Sequence, residues 1–278
     1  MRKTFDLLGR TFGREGDLFV IAGPDVCEPE DLCLRLAERL RKACERLGIG
    51  YIFKGSFDKA NRTSADAYRG PGLDRGLRTL SAVRARAGVP VLTDVHEVWQ
   101  VAPAAEVVDV LQVPAFLCRQ TDLVEACART GKVVNVKKGQ FLAPEDMRQV
   151  ARKIEAAGGE AARAILTERG TTFGYRMLVS DLRSIPIMQE TGYPVCYDAT
   201  HSQQIPAGHG AMSGGLREMV APMARAAVAA GADGCFFEVH EDPERALVDA
   251  DTHIEVEALE SLLGTLVEIK RALARPQR

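Results

Sequence analysis

A (β/α)8 TIM barrel with a short N-terminal extension is the fold class this sequence predicts, on three observations. Eight short apolar runs recur along the 278-residue chain, each continuous rather than alternating, as strands buried on both faces are. Segments of helical period separate them, which is the pattern of a parallel sheet covered by helices. A barrel of this kind takes about 250 residues, and the elements from 18 to 273 fill that length with no Pro/Ser-rich linker between them. We therefore expect one barrel domain over 1–278, with 1–17 as its appendage. A doubly wound open sheet is the alternative reading of the same alternation.

The runs are 18–22 (LFVIA), 51–54 (YIFK), 90–95 (PVLTDV), 108–113 (VDVLQV), 132–137 (KVVNVK), 164–168 (AILTE), 194–198 (PVCYD) and 234–239 (GCFFEV). After the first, Pro29 suits an opening helical turn, and Leu32, Leu36, Leu40, Ala43 and Leu47 recur at three- or four-residue steps. Gly48 ends that helix. Comparable stripes predict helices near 73–86, 97–105, 121–130, 145–157, 181–190, 215–230 and 256–273.

Composition narrows the class of function. The chain is 46% hydrophobic and 27% charged with a formal charge of -2, which fits a globular protein and argues against a general nucleic-acid or acidic-membrane binder. Any anion site must be built locally. Seven cysteines form no CxxC pair, and neither a signal-type apolar region nor a long uncharged span is present. A reducing cytoplasm is the expected compartment.

In such barrels the chemistry lies where strands run into the following loops. Those positions are polar here: Asp25; Lys54, Lys59 and Arg62; Asp94 and His96; Gln112 and Arg119; Lys137 and Lys138; Glu168 and Arg169; Asp198 and His201; Glu238 and His240. Such groups on one face would repel and be costly to desolvate without a bound partner. The cations Lys54, Lys59, Arg62, Arg119, Lys137 and Arg169 match phosphorylated substrates, two phosphates plus a carboxylate. His201, Glu238 and Asp249 are a divalent-metal donor set. His209 and His253 read as solvated loop residues, and Trp99, Phe116, Phe173 and Phe236 as packing. The polar stretch 202–214 reads as a lid or a passive surface loop. No dinucleotide or P-loop fingerprint follows a strand.

Longer motifs then carry a resemblance. IAGP (21–24), FKGSFDKANRTS (53–64), YRGPGL (68–73), TDVHE (93–97), PAFLCRQTDL (114–123), NVKKGQF (135–141), ERGTTFGY (168–175), DATHS (198–202) and SGG (213–215) resemble the 3-deoxy-D-manno-octulosonate 8-phosphate synthase family, also called 2-dehydro-3-deoxyphosphooctonate aldolase. The resemblance implies a tetrameric barrel enzyme of lipopolysaccharide (Kdo) biosynthesis that condenses phosphoenolpyruvate with D-arabinose 5-phosphate and releases phosphate by C–O cleavage. It implies phosphoenolpyruvate contacts at Lys54, Ser56, Lys59, Gln112, Lys137 and Arg169. Pentose phosphate contacts are implied at Asn61, Arg62, Thr63, Asp94 and His96, with Arg119 reaching in from a neighbouring subunit. Lys59, His201 and Asp249 are the implied catalytic residues.

One position departs from the pattern. The family divides into a metal-dependent class with Cys after GP and a metal-independent class with Asn there, and this chain has Asp25. With His201, Glu238 and Asp249 it makes an oxygen-rich set for Mn, Fe, Zn or Mg, and its likeness in shape to Asn leaves a metal-free site open. No organic cofactor is implied. The rival is 3-deoxy-D-arabino-heptulosonate 7-phosphate synthase, which uses erythrose 4-phosphate; its loop reads KPRTS where this chain has KANRTS (59–64). A metal-dependent hydrolase on the same barrel leaves the six cations unexplained, and a non-catalytic sugar-phosphate sensor is separated from an enzyme by a turnover assay.

Overall fold

The structure, a computed structural model, describes residues 2–209 and 212–274. Among them, eight parallel strands close into a barrel: β1 Phe19–Gly23, β2 Gly50–Lys54, β3 Val91–Asp94, β4 Val110–Val113, β5 Val133–Lys137, β6 Ala164–Glu168, β7 Val195–Asp198 and β8 Gly234–His240. Closure runs through β8, whose Phe236 pairs with Asp198 of β7 on one side and with Ile21 of β1 on the other. The open-sheet alternative is thereby excluded. Every expected strand is present within two residues of its expected bounds.

Helices α1 Glu30–Leu47, α2 Leu73–Ala87, α3 Val98–Val107, α4 Thr121–Arg129, α5 Met147–Gly158, α6 Ser184–Gln189, α7 Val220–Ala229 and α8 Val256–Leu273 form the outer ring. Pro29 caps α1, and Gly48 stops it in the left-handed region at φ 74°. Two helices are shorter than their apolar pattern predicts. Before α6, Asp181 accepts from the Arg183 backbone N–H and guanidinium, which holds residues 181–183 in a turn. Before α7, Gly215 pairs with Gln204, and a Cβ on it would lie 2.3 Å from Thr252 Cγ2. That residue belongs to a hairpin, Gln204–His209 with Met212–Gly215, rather than to a helix. The stretch expected as a polar loop is therefore paired backbone on either side of residues 210 and 211, which lie outside the described residues, as does the side chain of His209.

Two apolar cores result. One fills the space between strands and helices and includes Leu36, Leu40, Leu80, Val124, Ile154, Leu263 and Leu266. The other lies inside the barrel, where Ile21, Ile52, Leu92, Val110, Val133, Ile165, Cys196 and Phe236 contribute one side chain per strand. An N-terminal hairpin, Phe5–Leu7 paired with Arg10–Phe12, adds Phe5, Leu7 and Phe12 to this inner cluster and closes the lower end of the barrel. All seven cysteines are buried and unpaired.

The strand period of two decides what stands above this floor. Two residues beyond the apolar layer come Lys54, Asp94, Gln112, Asn135, Thr167, Asp198 and Glu238, so the interior turns from apolar to polar within one step of each strand. On β1 the same step reaches Gly23, where a Cβ would lie 2.0 Å from the Lys54 carbonyl oxygen, so only glycine lets β1 approach β2 this closely. No described helix is long and apolar enough to cross a membrane.

Candidate active site

A buried ladder of hydrogen bonds makes the floor of the site. Ser56 donates to Asp94 Oδ2 at 2.8 Å, and Gln112 Nε2 donates to Asp94 Oδ1. Asn135 Nδ2 donates to Gln112 Oε1 at 2.7 Å, and Thr167 Oγ1 donates to Asn135 Oδ1 at 2.6 Å. Each polar atom is satisfied by the next strand, so the side chains above the ladder rest on fixed neighbours. Asn135 and Thr167 were not singled out from the sequence, although both sit on the inward face two residues before Lys137 and Arg169.

Above the ladder a cavity opens at the C-terminal end of the barrel. It is lined by twelve of the polar residues singled out from the sequence, Asp25, Lys59, Asn61, Arg62, Thr63, Asp94, His96, Gln112, Lys137, Arg169, His201 and Asp249, and by Phe116, read from the sequence as packing. Lys54, Ser56 and Glu238 lie buried beneath it. Arg119 stands apart: it is exposed on the loop after β4 and does not line this chain's own cavity.

Lysine and carboxylate chemistry sets the electrostatics. Lys54, fully buried, donates to Glu238 Oε1 at 2.8 Å and to Asp25 Oδ1 at 3.1 Å. Lys59 also ion-pairs with Asp25 Oδ1 and lies 3.7 Å from Asp94 Oδ2. Burial opposes ionisation of Asp25, yet Lys59 and Lys54 hold its carboxyl well below the usual range. Asp94 behaves alike for the same two cations. Glu238 goes the other way: burial outweighs the Lys54 ammonium, which pulls it down, and with the repulsion of the Asp25 carboxylate leaves it pushed up to about 7.

A second group faces these from β5, β6 and β7. Lys137 donates to Asp198 Oδ2 at 2.6 Å and stands 3.9 Å above the Phe236 ring. His201 Nδ1 lies 2.9 Å from the same Asp198 oxygen, which turns its Nε2 toward Asp25 and Glu238, 3.7 Å from an oxygen of each. Burial lowers the His201 pKa, but Asp198 outweighs it and raises the ring above its ordinary value. Arg169 donates from Nη2 to the His201 carbonyl at 3.2 Å and to Gln204 Oε1 at 2.8 Å, and burial lowers its pKa. Gln204 then donates to Asp249 Oδ2 at 2.6 Å, while Arg62 takes Asp249 Oδ1 at 2.8 Å. Gln204 was missed in the sequence because it lies in the stretch taken for a loop.

Asp25, His201 and Asp249 can each offer one ligand atom within 4.8 Å of the others, a candidate divalent-metal site. Glu238, expected as a fourth ligand, lies outside that trio, engaged by Lys54. The fit to a cation is supported by two orphans: Asp25 Oδ2 and Glu238 Oε2 are buried with no hydrogen-bond partner, and carboxylate oxygen with imidazole nitrogen is a donor set for a hard or borderline divalent ion.

Two further expectations are corrected. His253, read as solvated, is fully buried, its pKa lowered by burial to about 4. Of the aromatics read as packing, Phe236 is buried, whereas Trp99, Phe116 and Phe173 are 60%, 54% and 68% exposed. Trp99 stands in the first turn of α3, Phe116 on the turn after β4, where it lines the cavity, and Phe173 on the segment after β6.

A sequence model described as the DAHP synthetase I family matches residues 7–275. The chain belongs to the DAHP synthetase I family. Within it, the chain is similar to proteins named 2-dehydro-3-deoxyphosphooctonate aldolase. That of Trichlorobacter lovleyi is 61% identical over 249 residues, 90% of this chain and 91% of the relative. That of a Cyanothece species is 58% identical over 255 residues, 92% and 93% of the two chains. That of Geobacter sp. strain M21 is 56% identical over 269 residues, 97% and 98%. The family match thus extends over the whole barrel, beginning at the last residue of the first hairpin strand.

Proposed function

We propose that this chain is a 2-dehydro-3-deoxyphosphooctonate aldolase, a carbon–carbon bond-forming transferase that condenses phosphoenolpyruvate with D-arabinose 5-phosphate to 3-deoxy-D-manno-octulosonate 8-phosphate and phosphate. Relatives of that name at 56–61% identity along the barrel support this reading over the heptulosonate synthase. The observation that carries it is one cavity flanked by two cation groups, Lys137 with Arg169 on one side and Lys59 with Arg62 on the other. Its experiment is phosphate release from phosphoenolpyruvate, which must require arabinose 5-phosphate and yield the eight-carbon phosphate by mass spectrometry. Release without the pentose phosphate, or no release, defeats the reading.

The roles follow from charge and position. Lys137, Arg169, Lys59 and Gln112 bind and orient phosphoenolpyruvate; Lys54, beneath the cavity, holds Asp25 and Glu238 and adds its charge from below, and Ser56 fixes the Asp94 carboxylate. Asn61, Arg62, Thr63, Asp94 and His96 receive the pentose phosphate. Holding two anions at reacting distance supplies up to ~7–11 kcal/mol in favourable cases. Carbon 3 of phosphoenolpyruvate attacks the sugar aldehyde, whose oxygen takes a proton. Water adds at carbon 2, and the carbon 2–oxygen bond to phosphate then breaks. Lys59 stabilises the developing alkoxide, and His201, set by Asp198, holds or moves the proton of the attacking water.

Asp25, His201 and Asp249 would hold a divalent ion, with Glu238 beneath them. When bound it supplies Lewis-acid polarisation of an oxygen. A carboxylate in place of a thiolate makes the site weakly selective among Mn, Fe, Zn and Mg, and we propose a weakly held ion. We further propose a homotetramer in which Arg119 completes a neighbour's cavity, because Arg119 is exposed and does not line its own. Seven unpaired thiols suit the cytoplasm as the place of the reaction.

A further inference from the structure

We infer that His253 is a positioning residue, a neutral bridge that fixes the two aspartates to which the cations of the phosphate-binding loop are tied. Its backbone precedes Ile254, which pairs with Val239 of β8. The ring is fully buried between two main-chain groups. The Asp25 N–H lies 3.3 Å from Nε2, and the Asp249 carbonyl oxygen lies 3.0 Å from Nδ1. An N–H can only donate and a carbonyl can only accept, so Nε2 is the acceptor and Nδ1 carries the proton. Both ring nitrogens are thereby committed to backbone, and the ring does not line the cavity.

What the bridge joins gives it its role. Asp25 follows β1 and Asp249 follows β8, strands paired in the closed barrel through Gly23 and Glu238. Asp249 sits at φ 48°, a left-handed conformation that non-glycine residues adopt rarely, and its carbonyl also accepts from Thr252 Oγ1 at 3.1 Å. The two aspartate side chains each hold a cation: Asp25 holds Lys59, and Asp249 holds Arg62 at 2.8 Å. Lys59 and Arg62 are three residues apart on the loop after β2, so the distance between the aspartate main chains sets the distance between the two ammonium and guanidinium groups. His253 is the side chain that spans it.

The inference rests on the proposed substrate roles of Lys59 and Arg62. Its test compares His253→Leu with His253→Gln in the full chain; Gln keeps an acceptor and a donor on one carbon, as the imidazole does. In folded His253→Leu, verified by circular dichroism, the KM for both phosphorylated substrates should rise about tenfold or more with a smaller change in kcat, and His253→Gln should return to within about threefold of the parent. Unchanged KM in folded His253→Leu, or equal defects in both variants, would overturn the role. Independently of turnover and of variant folding, nitrogen-15 NMR of the parent protein should show a protonated Nδ1 and an unprotonated Nε2 for His253. The opposite tautomer refutes the bridge. A parent protein inactive with both substrates refutes the proposed function instead, and the tautomer then decides the bridge alone.

Discussion

Lys137 and Asp198 form a 2.6 Å ion pair inside the barrel mouth, and the same Asp198 oxygen holds His201 Nδ1 at 2.9 Å. One carboxylate thus orients both the Lys137 ammonium at the cavity wall and the imidazole that faces Asp25 and Glu238. Lys137→Ala should lower kcat/KM by about 10²–10³, the loss seen when one preorganised charge-stabilising group is removed. Asp198 keeps the His201 backbone N–H at 2.9 Å and Thr200 Oγ1 at 3.2 Å, so the fold should survive with stability reduced by about 3 kcal/mol. Steady-state kinetics beside a urea melt check both; parent-like kinetics would assign Lys137 to structure alone.

Arg169 separates charge from shape. Its Nη2 is spent on His201 O and Gln204, which fixes the guanidinium plane at the cavity wall, where the proposed function gives it a phosphate or carboxylate to bind. Arg169→Lys keeps the charge and loses the fork, so the KM for phosphoenolpyruvate should rise by about tenfold or more while the melt barely moves. An equal effect on stability and none on KM would contradict the assignment.

Metal removal tests the three-ligand trio. Chelation with EDTA, confirmed by metal analysis, should lower activity, and added Mn should restore it. Asp25→Asn removes a charged oxygen donor, so it should weaken Mn affinity and also loosen Lys59, its ion-pair partner. Full activity in verified metal-free protein, with Asp25→Asn equally active, would show a metal-independent site.

Away from the cavity, His240 at the end of β8 lies 3.4 Å from Glu28, and this bond raises its pKa above the ordinary value of 6.5 against the opposing effect of burial. The protonated ring is favoured by folding, so the pair's contribution is complete below about pH 6.5 and is lost as pH rises through the folded-state pKa. Glu28→Gln should therefore cost about 1 kcal/mol at pH 6 and less at pH 9. Thermal melts across that range measure it; a cost independent of pH would contradict the charge-assisted bond.

The barrel was legible because each strand is a continuous apolar run, and the site was legible because the polar residues fall where those runs end. Lys54, Asp94, Gln112 and Lys137 belong to that signal. Asn135 and Thr167 carry it too, but as uncharged residues among β-branched neighbours they read as ordinary strand positions. His253 could not be found this way: its partners are backbone atoms of residues 25 and 249, and a bond to main chain leaves no complementary side chain in the sequence. The exposed Trp99, Phe116 and Phe173 show the converse, since apolar character alone does not say whether a residue is covered by its own chain.

The central claim is the identity of the sugar phosphate, for which the Ala60–Asn61 pair of the loop after β2 is the distinguishing feature. The most direct measurement is kcat/KM with arabinose 5-phosphate against erythrose 4-phosphate, each with phosphoenolpyruvate. The account predicts about 10² or more in favour of the pentose phosphate, as expected when a site built to hydrogen-bond a hydroxyl meets an analogue lacking it. Equal values, or a preference for erythrose 4-phosphate, would contradict it.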